Sequence, residues 1–339
     1  MQGGVTVTNS VPRPTTIERL RFGAYMSFAM LAGMDLDVFT PLQDDSLSAE
    51  QIADTLEVGT EKLRPLLYAL VAGGLLEVDG ELFSNTPESD HYLVKSRSSY
   101  MGGQHQGWSN FWNAALKTAD SIRTGLPQAK LDWTSMSEER LVQFFRGILP
   151  NNIAVGQDLI QRHNFTSSNS LIDVGGGSGG IAIAVAQAYP HMNTTVVEVS
   201  NVTLATRRFV EEAGLENRVR VVAADAVNEP LHGPYNVAVL QRFIQVLSSD
   251  DALKALRNVY NSLGPGGSIY VYGSIVDNSH LSPLEHAVES SLNLINSFDH
   301  GQPYSQQEYF DWLDEAGFEG YDCETLLSNQ VCIRGQRPR

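Results

Sequence analysis

The sequence predicts an α/β protein: a C-terminal, doubly wound, Rossmann-like domain with a mostly parallel sheet, preceded by a helical, winged-helix-like N-terminal region. Three observations carry this reading. A glycine turn, DVGGGSGG, separates a short apolar run from a helix-forming stretch after residue 170. Four more strand-like runs follow it at helix-length spacing, the alternation of a parallel sheet. Before residue 100 the apolar periodicity is helical except for one hairpin signal.

A chain of 339 residues is long enough for two cores. The expected organisation is a flexible tail over 1–15, the winged-helix-like region over 16–99, bridging helices over 100–165 and the α/β domain over 166–339. The tail lacks a basic stretch followed by an apolar run, so it reads as no signal peptide, and no apolar run reaches the roughly 20 residues that span a bilayer. A cytoplasmic protein with no membrane partner is therefore expected. The net charge of −16 disfavours nucleic acid as a partner, because phosphate neutralisation needs clustered Lys and Arg.

From Thr16 to Phe39 apolar residues recur at helical spacing (Leu20, Phe22, Met26, Phe28, Met30, Leu31), which predicts a helix that is buried or shared with a second copy. Ser48, with Gln51 three positions on, is a capping box that opens the next helix. EKLRPLLYALVAGGLLE gives a further helix ending at Gly73 and Gly74, and Leu75 to Phe83 reads as a hairpin around Asp79 and Gly80. The helix that would read DNA offers only Lys62 and Arg64. Tyr100 to Phe165 is helical again, and Trp108, Phe111 and Trp112 there serve either as core or as pocket wall.

SLIDV, TTVVEVS, RVRVVAAD, YNVAVLQRF and GGSIYVYGSIV are the five strands of a parallel sheet, with helices between them. A helical stretch from Pro283 to Asn296 and the QEYFDWLDEAGF helix come next. GYDCETL and QVCIRGQ then close the sheet as an antiparallel pair, making seven strands. Cys323 and Cys332, the two cysteines, lie on that pair without metal-ligand spacing and read as packing thiols. His286 and His300 lack a third ligand, so no metal is expected.

Asp173, Gly175, Gly177 and Gly179 form DxGxGxG, in which glycines let the backbone approach a ligand at a helix N-terminus. Gly175, Gly177 and Gly180 equally satisfy GxGxxG, with Glu198 about 20 residues on to hold a ribose, as in dinucleotide enzymes. Three surrounding features separate the two. Glu198 ends the second strand, where either cofactor needs it. Asp225 and Ala226 follow the third strand, placed for an adenine edge. GPGG at Gly264 to Gly267 opens the fifth strand, and Ala316 to Phe318 precede the last pair.

In this order the motifs resemble the class I methyltransferase fold. Residues 16 to 335, with the RTG turn at Arg123 to Gly125, resemble the plant-type small-molecule O-methyltransferase family. The resemblance implies that S-adenosylmethionine is the cofactor, with Asp173, Gly175, Gly177, Gly179, Glu198, Asp225, Ala226 and Gln241 holding it. It also implies that 16–99 is a dimerisation domain, whose helices interlock in a homodimer, and that the acceptor is a small molecule.

The chain departs from that family at the catalytic base. In LQRFIQVLSSDDA, Gln245 stands where the family has His, and a neutral amide is no general base near neutral pH. Gly273 and Pro303 stand where the family has the carboxylates that orient that His. One explanation is an acceptor that needs no deprotonation, such as a thioether sulfur, which attacks the methyl in line while the protein supplies positioning. This pattern is similar to bacterial S-methyltransferases that act on 4-methylthio-2-hydroxybutyrate in dimethylsulfoniopropionate synthesis. Arg146 or Arg242 would then grip the substrate carboxylate, Gln245 would position the substrate, and Trp108, Trp112 and Phe298 would enclose the methylthio group. A second explanation keeps O-methylation of a phenol or carboxylic acid and moves the base to His105, His163 or His300. A third is a non-methylating, pericyclase-like or cofactor-binding descendant.

Overall fold

The computed structural model describes residues 12–97, 99–101, 105–284, 286–325 and 330–339. The chain divides into two compact units, residues 1–110 and 111–339.

The first unit begins with α1 (Thr15–Asp35), followed by β1 (Leu47–Ser48), α2 (Ala49–Leu56) and α3 (Thr60–Ala72). The hairpin β2 (Leu76–Asp79) and β3 (Leu82–Asn85) and the short α4 (Pro87–Leu93) complete its helix-helix-wing pattern. The capping box forms as the sequence requires: Gln51 N–H donates to Ser48 Oγ at 3.3 Å and Ser48 N–H to Gln51 Oε1 at 2.8 Å. The wing gains a third strand, because β1 pairs antiparallel with β3. Two residues are too few for any periodicity to announce them. Phe39, Leu42, Ile52, Leu67, Leu70 and Phe83 form the core of this unit. α1 behaves differently. Only Ala29, Gly33 and Met34 are buried in it, whereas Ile17, Leu20 and Tyr25 stay 63 to 70% exposed.

α5 (His105–Ala115) comes next. In the second unit α6 (Thr118–Thr124) and α7 (Glu138–Arg162) precede the sheet. The strands and helices then alternate: β4 (Ser170–Val174), α8 (Gly180–Ala188), β5 (Asn193–Glu198), α9 (Val202–Glu212), β6 (Val219–Ala223) and β7 (Tyr235–Gln241). They continue through α10 (Ser249–Ser262), β8 (Leu263–Gly273), a π-helical turn (His286–Ser290), α11 (Ser291–Ser297), α12 (Gln306–Ala316), β9 (Glu319–Thr325) and β10 (Val331–Gln336). The sheet has seven strands in the order β6-β5-β4-β7-β8-β10-β9; the first five are parallel and β10 runs antiparallel to both its neighbours.

Alternation along the strands sorts residues between two apolar layers. Ile172, Val174, Ala238, Leu240, Ile269 and Val271 face α10 and α12, while Leu171, Val237, Val239, Tyr270 and Tyr272 pack toward α7 and α8. Cys323 is half-buried and Cys332 buried, both as free thiols; burial pushes them up to about 11 and about 12. They belong to the packing. Among the described residues no helix is long and apolar enough to cross a membrane, and no group of three or more His, Cys, Asp or Glu side chains is placed to hold a metal. β4 has β5 on one side and β7 on the other, so the connections diverge at its carboxyl end. Open α/β sheets leave a crevice at such a point.

Candidate active site

The crevice is floored by the turn between β4 and α8. Gly175, Gly177 and Gly179 have φ of +66°, +52° and +73°, the left-handed region that costs other residues strain. Space excludes side chains as well: a Cβ on Gly175 would lie 2.5 Å from the Phe243 ring, and one on Gly177 would lie 2.7 Å from Phe145. The turn is tied from three directions. Thr206 Oγ1 donates to Gly177 O at 2.6 Å, Asn152 Nδ2 donates to Ser178 Oγ at 3.0 Å, and Gly175 N–H donates to Val197 O at 2.9 Å. Past the turn, the first amides of α8 have no partner within the helix and face the crevice mouth.

Glu198, at the end of β5, braces this turn from the side. Its Oε1 accepts from Gly177 N–H at 3.0 Å and its Oε2 from Val199 N–H at 2.9 Å. Burial raises this carboxyl to about 7, against the pull of those two amides. Each oxygen still has a lone pair for a ribose hydroxyl. Asp173 lies beneath the turn, 1% exposed, and neither of its oxygens has a hydrogen-bond partner. Gln241, two residues beyond the Asp173 partner on the adjacent strand, is also buried, with an unpartnered Nε2. A buried acceptor and a buried donor without partners, level with one glycine turn, are what an amino-acid tail with an ammonium and a carboxylate would satisfy. The residues present therefore fit S-adenosylmethionine. Asp225 is further along the same edge. Its carboxylate accepts from Val227 N–H at 2.9 Å and Asn228 Nδ2 at 2.7 Å, which fixes the loop that carries the buried Ala226.

The second half of the crevice lies at the carboxyl ends of β7 and β8. Arg242 has φ of +53° and donates its N–H to Tyr272 O at 2.7 Å, which turns the chain out of the strand. Its side chain keeps more than a third of its surface open, yet burial lowers its pKa, with Glu289 acting in the opposite sense. Gln245 is 7% exposed, and its Oε1 accepts the main-chain N–H of Ser274 at 2.7 Å. Ser290 Oγ, on the π-helical turn, donates to Ser274 Oγ at 2.7 Å, and His286 Nδ1 lies 3.2 Å from Ile275 O. Pro303 is buried beside this segment.

Arg146 is a correction: it sits half-exposed on α7, bound through both terminal nitrogens to Glu212 at 2.9 and 2.7 Å and stacked over Phe209. Its two terminal nitrogens are thus held by Glu212 at the surface of α7. Trp108 packs against the core of the first unit. Trp112 is half-buried on α5, and Phe298 is half-buried at the end of α11. His163 stacks on Tyr270 at 4.6 Å and meets Glu324 at 3.2 Å. Beside it a polar cavity of about 500 Å³ opens at the amino ends of β4, β7 and β8, lined by Arg162, Asn236 and Gly266 among others, across the sheet from the glycine turn. His300 is exposed, near Asp251. The side chain of His105 lies outside the described residues. Phe145, Phe243, Asn152, Ser274 and Ser290 were not legible as site residues in the sequence. The Phe144-Phe145 pair within an amphipathic helix was the one signal, and it is indistinguishable from core.

Comparisons with known proteins match the family and the fold. Residues 121–319 match the O-methyltransferase domain and residues 18–95 the O-methyltransferase dimerisation domain. The chain is 27% identical to 3-hydroxy-5-methyl-1-naphthoate 3-O-methyltransferase of Streptomyces sahachiroi, over 90% of this chain and 89% of that one. It is 25% identical to PigF, an S-adenosyl-L-methionine-dependent methyl transferase of Serratia, over 93% of each. The solved structure of PigF with SAH superposes with a TM-score of 0.81 at 21% identity, covering 96% of this chain and all of that one. A putative O-methyltransferase from Nostoc punctiforme superposes with a TM-score of 0.86 at 21% identity, covering 97% and 100%.

Proposed function

The chain belongs to the O-methyltransferase family and uses S-adenosylmethionine as methyl donor; from that premise we propose that its acceptor is a small carboxylate whose nucleophile needs no proton removed. A thioether sulfur, as in 4-methylthio-2-hydroxybutyrate, meets that description.

The observation that carries this reading is the bond from Ser274 N–H to Gln245 Oε1. A main-chain N–H can only donate, so the bond turns the amide oxygen toward Ser274 and leaves the NH₂ as the end offered to an acceptor. A donor at the base position binds an oxygen and removes no proton. Arg242 adds a cation in the same cleft, and a guanidinium matches a carboxylate bidentately. The donor, when bound, supplies an electrophilic methyl on a positive sulfur. The work of the chain is then to orient the acceptor: Arg242 takes the carboxylate, the Gln245 amide takes a neighbouring oxygen, and Trp112 and Phe298 screen water from the sulfur. Alignment of this kind is worth roughly 7 to 11 kcal/mol. By its name the S. sahachiroi relative acts on a naphthoate, an acceptor that also carries a carboxylate.

A second reading, O-methylation of a hydroxyl, is favoured by that relative's name and by His286. Bonding through Nδ1 to Ile275 O leaves its Nε2 as a lone-pair nitrogen beside the cleft. The two readings separate in one experiment. The protein is incubated with S-adenosylmethionine and a panel of carboxylate thioethers, phenols and hydroxy acids, and product mass is followed. A gain of one methyl on thioethers, at a rate that stays flat between pH 6 and 9 when the donor is saturating, supports the first reading. Methylation confined to hydroxyls and abolished by His286→Ala overturns it, and donor binding without any methylated product overturns both.

A further inference from the structure

Two carboxylates, Asp173 and Glu198, flank one glycine turn on neighbouring parallel strands, and among the described residues no Lys, Arg or His acts on either of them. They are not equivalent. Glu198 accepts two main-chain N–H bonds, which favour its anion against the burial that raises it. Asp173 has no completed bond at either oxygen, and the turn closes over it so tightly that a Cβ on Gly176 would lie 2.7 Å from its Oδ2. An ionised carboxylate in that position would be a buried charge without a cationic partner, which proteins avoid by holding the proton.

Among the described groups around Asp173 the Ala182 amide favours the anion, and burial outweighs it. From β5 it faces the like charge of Glu198, and from β7 the neutral Gln241. α8 contributes the Ala182 amide, α7 the neutral Asn152, which is bonded to Ser178, and α9 Thr206, which is bonded to Gly177 O. The missing cation is one the donor brings, in the ammonium of its amino-acid tail.

We propose that Asp173 is protonated in the empty site and ionises only as the donor's ammonium arrives, so that each binding event releases one proton to solvent. The balance is a carboxylic acid plus a bound ammonium giving a carboxylate-ammonium pair and a free proton; no other bond changes. Burial, which raises the Asp173 carboxyl to about 7, agrees with this. Donor affinity is then proton-linked, tightening about tenfold for each pH unit gained below that value. The inference does not depend on the acceptor's identity, because the demethylated product S-adenosylhomocysteine carries the same ammonium and needs no acceptor.

The test is calorimetric titration of the full-length protein with S-adenosylhomocysteine at pH 6.5, in two buffers of different ionisation enthalpy. Between half and one proton released per site is expected, falling toward none at pH 8.5, with Asp173→Asn binding without proton release. Heats that agree in the two buffers for the unaltered protein would overturn the proposal. So would a dissociation constant that stays flat from pH 5.5 to 7.5, a readout that needs no variant to fold. Release that persists in Asp173→Asn but vanishes in Glu198→Gln would assign the proton to the wrong carboxylate and overturn it as well.

Discussion

A Cβ on Gly273 would lie 2.9 Å from Gln245 Oε1, so the amide of Gln245 occupies the space into which a side chain at 273 would project. The two positions are sterically exclusive. Gly273→Asp is therefore expected to push the amide off Ser274 N–H and to place a charge where a neutral group now sits. Methyl transfer should fall at least tenfold, with S-adenosylhomocysteine affinity within twofold of the parent, as checked by product mass and calorimetry.

Gln245→Ala removes an acceptor contact without touching the glycine turn. A hydrogen-bond donor that serves an anionic acceptor is worth about 1.5 to 3 kcal/mol, so kcat/KM should drop roughly 10- to 100-fold while donor binding stays unchanged. Gln245→His should not rescue it, because Gly273 and Pro303 offer no carboxylate to orient the ring. Recovery of activity with a bell-shaped pH profile would show that a base had been wanted at this position.

Glu198→Gln replaces an anion that takes two main-chain N–H bonds with an amide that has one acceptor and a donor facing a donor. The turn loses a brace and the ribose loses its carboxylate. S-adenosylhomocysteine affinity should weaken by about 10- to 100-fold, measurable by calorimetry at pH 8.

Stability of the donor-free protein should depend on pH with an uncommon sign. Asp173 and Glu198 titrate higher in the folded chain than their ordinary carboxylate values, at about 7. The folded state therefore binds more protons than the unfolded one between about pH 4 and 7. Their contribution is full below pH 4 and is lost as pH rises through 7, an effect on the order of a few kcal/mol. Thermal midpoints without donor are expected to fall between about pH 5 and 7 and to level off above that. Asp173→Asn should reduce that slope and leave the part that Glu198 carries, as scanning calorimetry would show.

The open circumference of α1 calls for cover. Leu20, Phe22 and Tyr25 are exposed within the segment that matches the O-methyltransferase dimerisation domain. Light scattering at micromolar concentration is expected to report a dimer, and the double variant Leu20→Asp with Tyr25→Asp a monomer or a soluble aggregate. A monomeric parent protein would remove the interface.

By itself the sequence determined the alternating sheet, the capping box at Ser48, the glycine turn with its acidic strand ends, and the absence of a base at Gln245. Each of these is local: a period of two, a cap three residues from its partner, a turn that only glycine tolerates. Tertiary structure decided what those residues face. Arg146 and Arg242 are equal as letters, yet packing gives the first to Glu212, 66 residues away, and leaves the second exposed at the carboxyl end of β7. Which end of the Gln245 amide is free depends on an N–H donated from Ser274, 29 residues on. The two-strand wing became three-stranded because β3 offered an edge to two residues too few to signal themselves. Such partners meet through burial and strand pairing across long stretches of chain, and periodicity, which reports only neighbours along one element, carries no record of them.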